Sequence, residues 1–316
     1  FAADSGSAVT IVDITALDLK ALTAASLSAT AGGAVTDSGT LAIAGATTIS
    51  ASGQDITLDQ AASTFGTLAL TGVNVAVTEN AATDLGASTI SGTLGITSAG
   101  AVTDSGTLAV TGATTISASG QDITLDDSAS TFGTLALTGA NVAVTDAGAV
   151  DLGASTVSGT LGITSAGAVT DSGTLAITGA TTISASGQDI TLDESASTFG
   201  TLALTGENVA VTDAGATDLG ASTVGGTLGI TSAGAVTDSG TLAVTGATTI
   251  SASGQDITLD ESASTFGSLL LTGANVAVTD AGAVDLGAST VGGTLGITSA
   301  GAVTDSGTLA ITGATT

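Results

Sequence analysis

Along most of the chain, apolar residues stand two apart in short runs. TLAVTG, DITLD, TLALTG, NVAVTD and TLGITS each alternate an aliphatic with a small or polar residue. That is the period of a β-strand, and the runs are rich in the β-branched residues that fit a pleated surface. A helix, with apolar positions recurring every 3.6 residues, does not fit. Each run gives way within a few residues to Gly, Ser, Asn or Asp, which tolerate turn geometry or bond to their own backbone.

The runs belong to a larger period. The glutamine of SASGQDITLD falls at Gln54, Gln121, Gln188 and Gln255, and the phenylalanine of STFG at Phe65, Phe132, Phe199 and Phe266, both in steps of 67. Four full copies cover 39–105, 106–172, 173–239 and 240–306. Residues 1–38 form a more divergent partial copy, and 307–316 begin another, so the chain is expected to be a piece of a longer array. In the second copy the pattern predicts nine strands: 107–111, 113–118, 122–126, 133–138, 141–145, 149–152, 155–157, 160–164 and 168–170.

Comparing copies separates inward from outward positions. Leu108, Val110, Ile116, Ile123, Leu125, Leu135, Leu137, Val142, Val144, Leu152, Val157, Leu161, Ile163 and Val169 are matched by aliphatics in every full copy, which predicts a core. Gln60, Asp127, Glu194 and Glu261 share one variable column, and Val73, Ala140, Glu207 and Ala274 another, which predicts solvent.

Nine short strands per repeat, with no helix, predict an all-β fold: a right-handed parallel β-helix, or β-solenoid, that is continuous through the copies. The preferred division is three coils per repeat, about 22 residues and three strands each, giving about 14 coils in all. A division at the recurring glycines gives instead five flatter, two-sided coils of about 13 residues. The chain has no proline, so every backbone N–H can join a ladder. Its 46 glycines suit tight corners where φ is positive. A string of separate β-sandwich modules is a poorer reading, since a single repeat without Trp, Tyr or a disulfide makes a weak independent core.

Composition then narrows function. There are 28 acidic residues and one basic residue, Lys20, for a net charge of −27, which argues against nucleic acid and anionic membrane as partners. Cysteine and histidine are absent, and so are Tyr and Arg, which leaves almost nothing for acid–base or nucleophilic chemistry. No catalytic or cofactor-binding residue is assigned, and the chain is read as a non-enzyme. Asp126 with Asp127, and Asp146 with Asp151, are carboxylate pairs of the kind that cleave glycosides, but their columns recur in every copy, and surface solvation is the preferred reading. The phenylalanines read as core rather than as a platform for a polymer.

Calcium is the one cofactor weighed, through the turns VTDSG (Asp104, Asp171, Asp238, Asp305) and VTDAG (Asp146, Asp213, Asp280). The nonapeptide pattern of calcium-binding β-rolls is missing, and aspartate in such turns ordinarily serves local backbone bonds. Any calcium effect is expected to be loose screening, and no metal ligand is assigned. Threonine and serine are abundant enough to raise ice binding, yet the threonines do not recur at a fixed coil spacing on one face. No apolar run reaches the length of a membrane span, and Phe1–Ser7 lack the features of a signal peptide, so any export signal is expected outside this segment.

Taken together, SGTLAVTGATTISASGQDITLDDSASTFGTLALTG and NVAVTDAGAVDLGASTVSGTLGITSAGAVTDSG resemble the repeats of filamentous-haemagglutinin-like bacterial exoproteins. The resemblance covers the four copies and, more loosely, residues 8–38. It implies a long right-handed β-helix on the bacterial cell surface, serving as an adhesin stalk. Receptors of host or neighbouring cells would be met by regions outside this segment, and rods could associate along or between themselves. No secretion domain, effector or anchor is recognisable, and no individual residue carries over as a site.

Overall fold

The computed structural model describes residues 3, 4 and 6–316, and the side chains from Gly6 onward. The reading of Phe1 as a core residue lies outside the described residues. The chain divides into two compact units, Phe1–Gly159 and Thr160–Thr316. Each is a parallel β-solenoid, without helix among the described residues.

All nine strands expected between 106 and 172 form, each within a residue or two of its expected bounds: Leu108–Val110, Thr114–Ser117, Ile123–Leu125, Thr134–Gly139, Val142–Asp146, Val150–Leu152, Ser155–Val157, Leu161–Ser165 and Val169–Asp171. The alternation decides which face is buried. Every one of the fourteen aliphatics assigned to the core is at most 3% exposed. The two variable columns are half-exposed or exposed. Phe65, Phe132, Phe199 and Phe266 are buried, as the core reading requires.

In the first unit the chain winds between two main ladders. One stacks Ile56–Leu58, Val75–Glu79, Leu94–Ser98, Thr114–Ser117 and Thr134–Gly139, all parallel. The other stacks Ala46–Ser50 and Thr67–Gly72, continues through Val102–Asp104, and ends with Ile123–Leu125 and Val142–Asp146. The six-residue strand Thr67–Gly72 pairs at one end with Thr83–Leu85 and at the other with Ser88–Ile90, so a straight side in one coil lies against a broken side in the next. A short third sheet joins Ala3–Asp4, Leu22–Ala24 and Leu41–Ile43. The second unit repeats the two-ladder plan.

The ladder register revises the coil count. Ile56, Val75, Leu94, Thr114 and Leu135 are successive partners on one ladder, and coils are about 19 residues apart. The mean coil is shorter than the about 22 residues of the preferred division and longer than the about 13 of the other. One repeat therefore makes about three and a half turns, not three. Equivalent strands of neighbouring repeats consequently fall on opposite ladders. Thr67–Gly72 lies in one and Thr134–Gly139 in the other, and in the second unit Thr201–Gly206 and Ser268–Gly273 are divided the same way. A given column of the repeat thus alternates between the two ladders from one copy to the next.

Positive φ occurs in only four described glycines, Gly53, Gly120, Gly187 and Gly254, at +72° to +77° in the SASGQD turn. Elsewhere space is the usual reason for glycine. A Cβ on Gly133 would come within 2.5 Å of Gly112 O and 2.6 Å of Thr111 O, so only glycine lets these coils approach.

Candidate functional site

The least regular part of each repeat is the stretch around DDSASTFG, residues 126–133 in the second copy. It lacks a ladder strand, and Thr131 makes only an isolated bridge to Ala109. A loop of this kind leaves backbone donors without ladder partners, and the surrounding coils supply acceptors. Asp104, in the coil before, accepts the N–H of Asp126 on Oδ1 (2.9 Å) and the N–H of Asp127 on Oδ2 (3.3 Å). Asp146, in the coil after, accepts the N–H of Phe132 on Oδ2 (3.0 Å) and that of Gly148 on Oδ1 (2.7 Å). Between them the buried Ser130 accepts the N–H of Leu108 on Oγ (2.9 Å), and its carbonyl accepts from Ala147 (2.8 Å).

The same clamp recurs. In the first copy Asp37 holds Asp59, Ser63 holds Leu41, and Glu79 holds Phe65. In the second unit Asp171 and Asp238 hold Asp193 and Asp260, while Asp280 holds Phe266. From the sequence these aspartates read as turn residues, and one bond of Asp146 is indeed local. Its other bond, and both bonds of Asp104, reach far along the chain and tie coil to coil. Only the tertiary winding brings those partners together, so no local signal marked them.

Surface solvation therefore fails for Asp146, which is 2% exposed. Asp213 and Glu79 are as deeply buried, at 1% and 2%. Burial pushes the carboxyl groups of Glu79, Asp146 and Asp213 above their ordinary range, outweighing the N–H donors that favour the ionised form. Asp104, Asp171 and Asp238 are also raised, first by burial and further by the neighbouring acids Asp126, Asp193 with Glu194, and Asp260 with Glu261.

The two candidate glycosidase pairs sit in different settings. Asp126 is exposed beside half-exposed Asp127, and the two share the clamp of Asp104. Asp146 ends a strand of one ladder with its side chain inward, whereas Asp151 sits in a strand of the other ladder and accepts a bond from Thr134 Oγ1 (2.9 Å). Among the described residues no three acidic side chains converge as metal ligands do.

Further side-chain chains run from coil to coil. Asp55 Oδ1 accepts both the backbone and side-chain N–H of Asn74 (3.0 Å each), and Asn74 Oδ1 accepts the N–H and hydroxyl of Thr93 (3.1 Å each). Outward hydroxyls also stack: Thr78, Thr97, Ser117, Thr138 and Thr156 are successive register partners. The step from one partner to the next is uneven, in keeping with the absence of a fixed threonine spacing in the sequence, and the column shows only in the ladder register.

A family model described as repeats of unknown function (DUF5649) matches residues 6–71, 72–138, 139–205, 206–272 and 273–316. No curated protein and no solved structure matches the chain.

Proposed function

Starting from a chain that belongs to this family of repeats of unknown function, we propose that it is a non-catalytic spacer, a stalk or fibre segment of an extracellular bacterial surface adhesin. The observation that carries this reading is that each repeat uses its polar side chains to bind the next coil. Asp104, Ser130, Asp146 and the Asp–Asn–Thr chains hold backbone and side-chain groups one coil away rather than opening a pocket. In such an array stability grows with the number of coils, and length is the property gained.

The resemblance to filamentous-haemagglutinin-like repeats supports the surface location, and the net charge of −27 supports partners other than nucleic acid or anionic membrane. Receptors would be met by regions outside this segment. Electron microscopy of purified chains carrying different numbers of repeats tests the reading: particle length should rise in proportion to repeat number. Fibres much longer than the chain would favour the alternative, a subunit of a self-assembling filament or surface layer.

One observation favours a second reading, ice binding. The stacked hydroxyls Thr78, Thr97, Ser117, Thr138 and Thr156 stand about 4.8 Å apart on a ladder, with Ala76, Gly95, Thr115 and Ala136 in the neighbouring column. Thermal hysteresis of the purified chain would establish it, and freezing-point behaviour equal to an inert protein would eliminate it.

A further inference from the structure

We propose that buried carboxylates flanking the DDSASTFG-type loops form a proton-binding latch, so that the chain holds its fold more firmly in mildly acidic surroundings than at neutral pH. The loops are held from below by Asp37, Asp104, Asp171 or Asp238, and the first three also from above by the latch carboxylates Glu79, Asp146 or Asp213. Glu79, Asp146 and Asp213 are 1–2% exposed, Asp37, Asp171 and Asp238 5–9%, and Asp104 is half-buried.

No basic side chain accompanies them. The only one in the chain, Lys20, lies 2.7 Å from Asp18 Oδ2 and also donates to Ser38. The charged groups facing the lower carboxylates are all acidic: Asp59 beside Asp37, Asp126 beside Asp104, Asp193 and Glu194 beside Asp171, and Asp260 and Glu261 beside Asp238. The upper carboxylates meet only neutral groups: the Phe65 N–H and the Thr83 side chain at Glu79, the N–H groups of Phe132 and Gly148 at Asp146, and those of Phe199 and Gly215 with the Thr217 hydroxyl at Asp213. Moreover, Asp37 Oδ2 is buried without a hydrogen-bond partner, where an ionised oxygen is least favourable.

A carboxyl group keeps lone pairs after protonation, so it can still accept the loop N–H bonds while the buried charge disappears. The folded chain therefore binds these protons more tightly than the unfolded chain does. With folded values raised, the added stability is present at low pH and is lost as pH rises through those values. The window opens at the ordinary carboxylate value, about 4, and extends upward to the raised folded values.

The test compares unfolding midpoints of the full chain at about pH 7.5 and about pH 5 in high salt, which screens repulsion between exposed charges. The midpoint should be higher in the acidic sample, with the folding equilibrium gaining up to about tenfold for each unit by which a latch carboxyl is raised. A triple variant of the latch, Asp104→Asn, Asp171→Asn and Asp238→Asn, should lose much of that gain. Exchanges at exposed positions outside the clamps and the Asp–Asn–Thr chains, Glu207→Gln with Asp305→Asn, should retain it. Equal gains in both variants, or a lower wild-type midpoint in the acidic sample, would overturn the latch. Should the latch variant fail to fold, carboxyl-carbon NMR of the wild type decides: Asp104, Asp146, Asp171 and Asp213 should titrate above the ordinary value, and midpoints at or below it refute the proposal.

Discussion

Replacing Thr114 by valine should stabilise the chain. Thr114 is fully buried, and its Oγ1 has no hydrogen-bond partner. Its ladder neighbours are Leu94 in the preceding coil and Leu135 in the following one, so the hydroxyl is set in an aliphatic stack. Burying a hydroxyl without a partner costs about 1–3 kcal/mol by protein mutational measures. Valine has nearly the same shape, keeps the β-branched stem that suits a strand, and exchanges the hydroxyl for a methyl in contact with leucine. The Thr114→Val midpoint in urea should therefore rise by an amount worth about 1–3 kcal/mol, with an unchanged denaturant slope. Thr115, the next residue and exposed, supplies the control: Thr115→Val should move stability by no more than about 0.5 kcal/mol. A loss of stability at Thr114, or an equal gain at Thr115, would refute the reasoning. Thr47, Thr181 and Thr248 repeat the arrangement, so the effect should recur in each copy.

Two further substitutions probe the loop and the coil spacing. Ser130→Ala removes the Oγ that accepts the buried N–H of Leu108, and should cost about 1–3 kcal/mol in urea unfolding. A neutral result would mean that the bond is replaced by water. Gly133→Ala places a methyl against the carbonyl oxygens of Gly112 and Thr111, which cannot rotate away, and should destabilise by about 1–3 kcal/mol or prevent folding. Gly120→Ala, where positive φ but no crowding is at issue, should be milder, by calorimetry of the two variants side by side.

Strands and core were legible because they depend on local alternation. Leu135 and Leu137, two apart in TLALTG, could face only the same side, and comparison between copies marked that side as buried. The coil count was not legible. Register depends on which distant strands meet, and the step from Leu68 to its partner Leu85 is shorter than that from Thr114 to Leu135, so no single spacing announces the winding. The same variation concealed the outward hydroxyl column. Asp104 and Asp146 were misplaced for another reason: in VTDSG and VTDAG an aspartate bonding its own turn and one bonding a loop a coil away look identical. Thr114 was equally silent, because inward and outward threonines of ATTIS differ by one residue of register.

The winding, with coils about 19 residues apart that place equivalent strands of successive repeats on opposite ladders, underlies the clamps, the hydroxyl column and the spacer reading alike. Because the chain contains no cysteine, engineered pairs report on it cleanly. Thr97 and Ser117 are direct ladder partners, whereas the longer coil expected from the sequence would set Thr97 against Ser119. Neighbouring strands stand about 4.8 Å apart, inside the range a disulfide spans. Under mild oxidation, Thr97→Cys/Ser117→Cys should close an intramolecular disulfide, seen as two blocked thiols by mass spectrometry, and Thr97→Cys/Ser119→Cys should stay reduced. Closure of the second pair with the first left open would contradict the winding, and with it the half-turn offset between repeats.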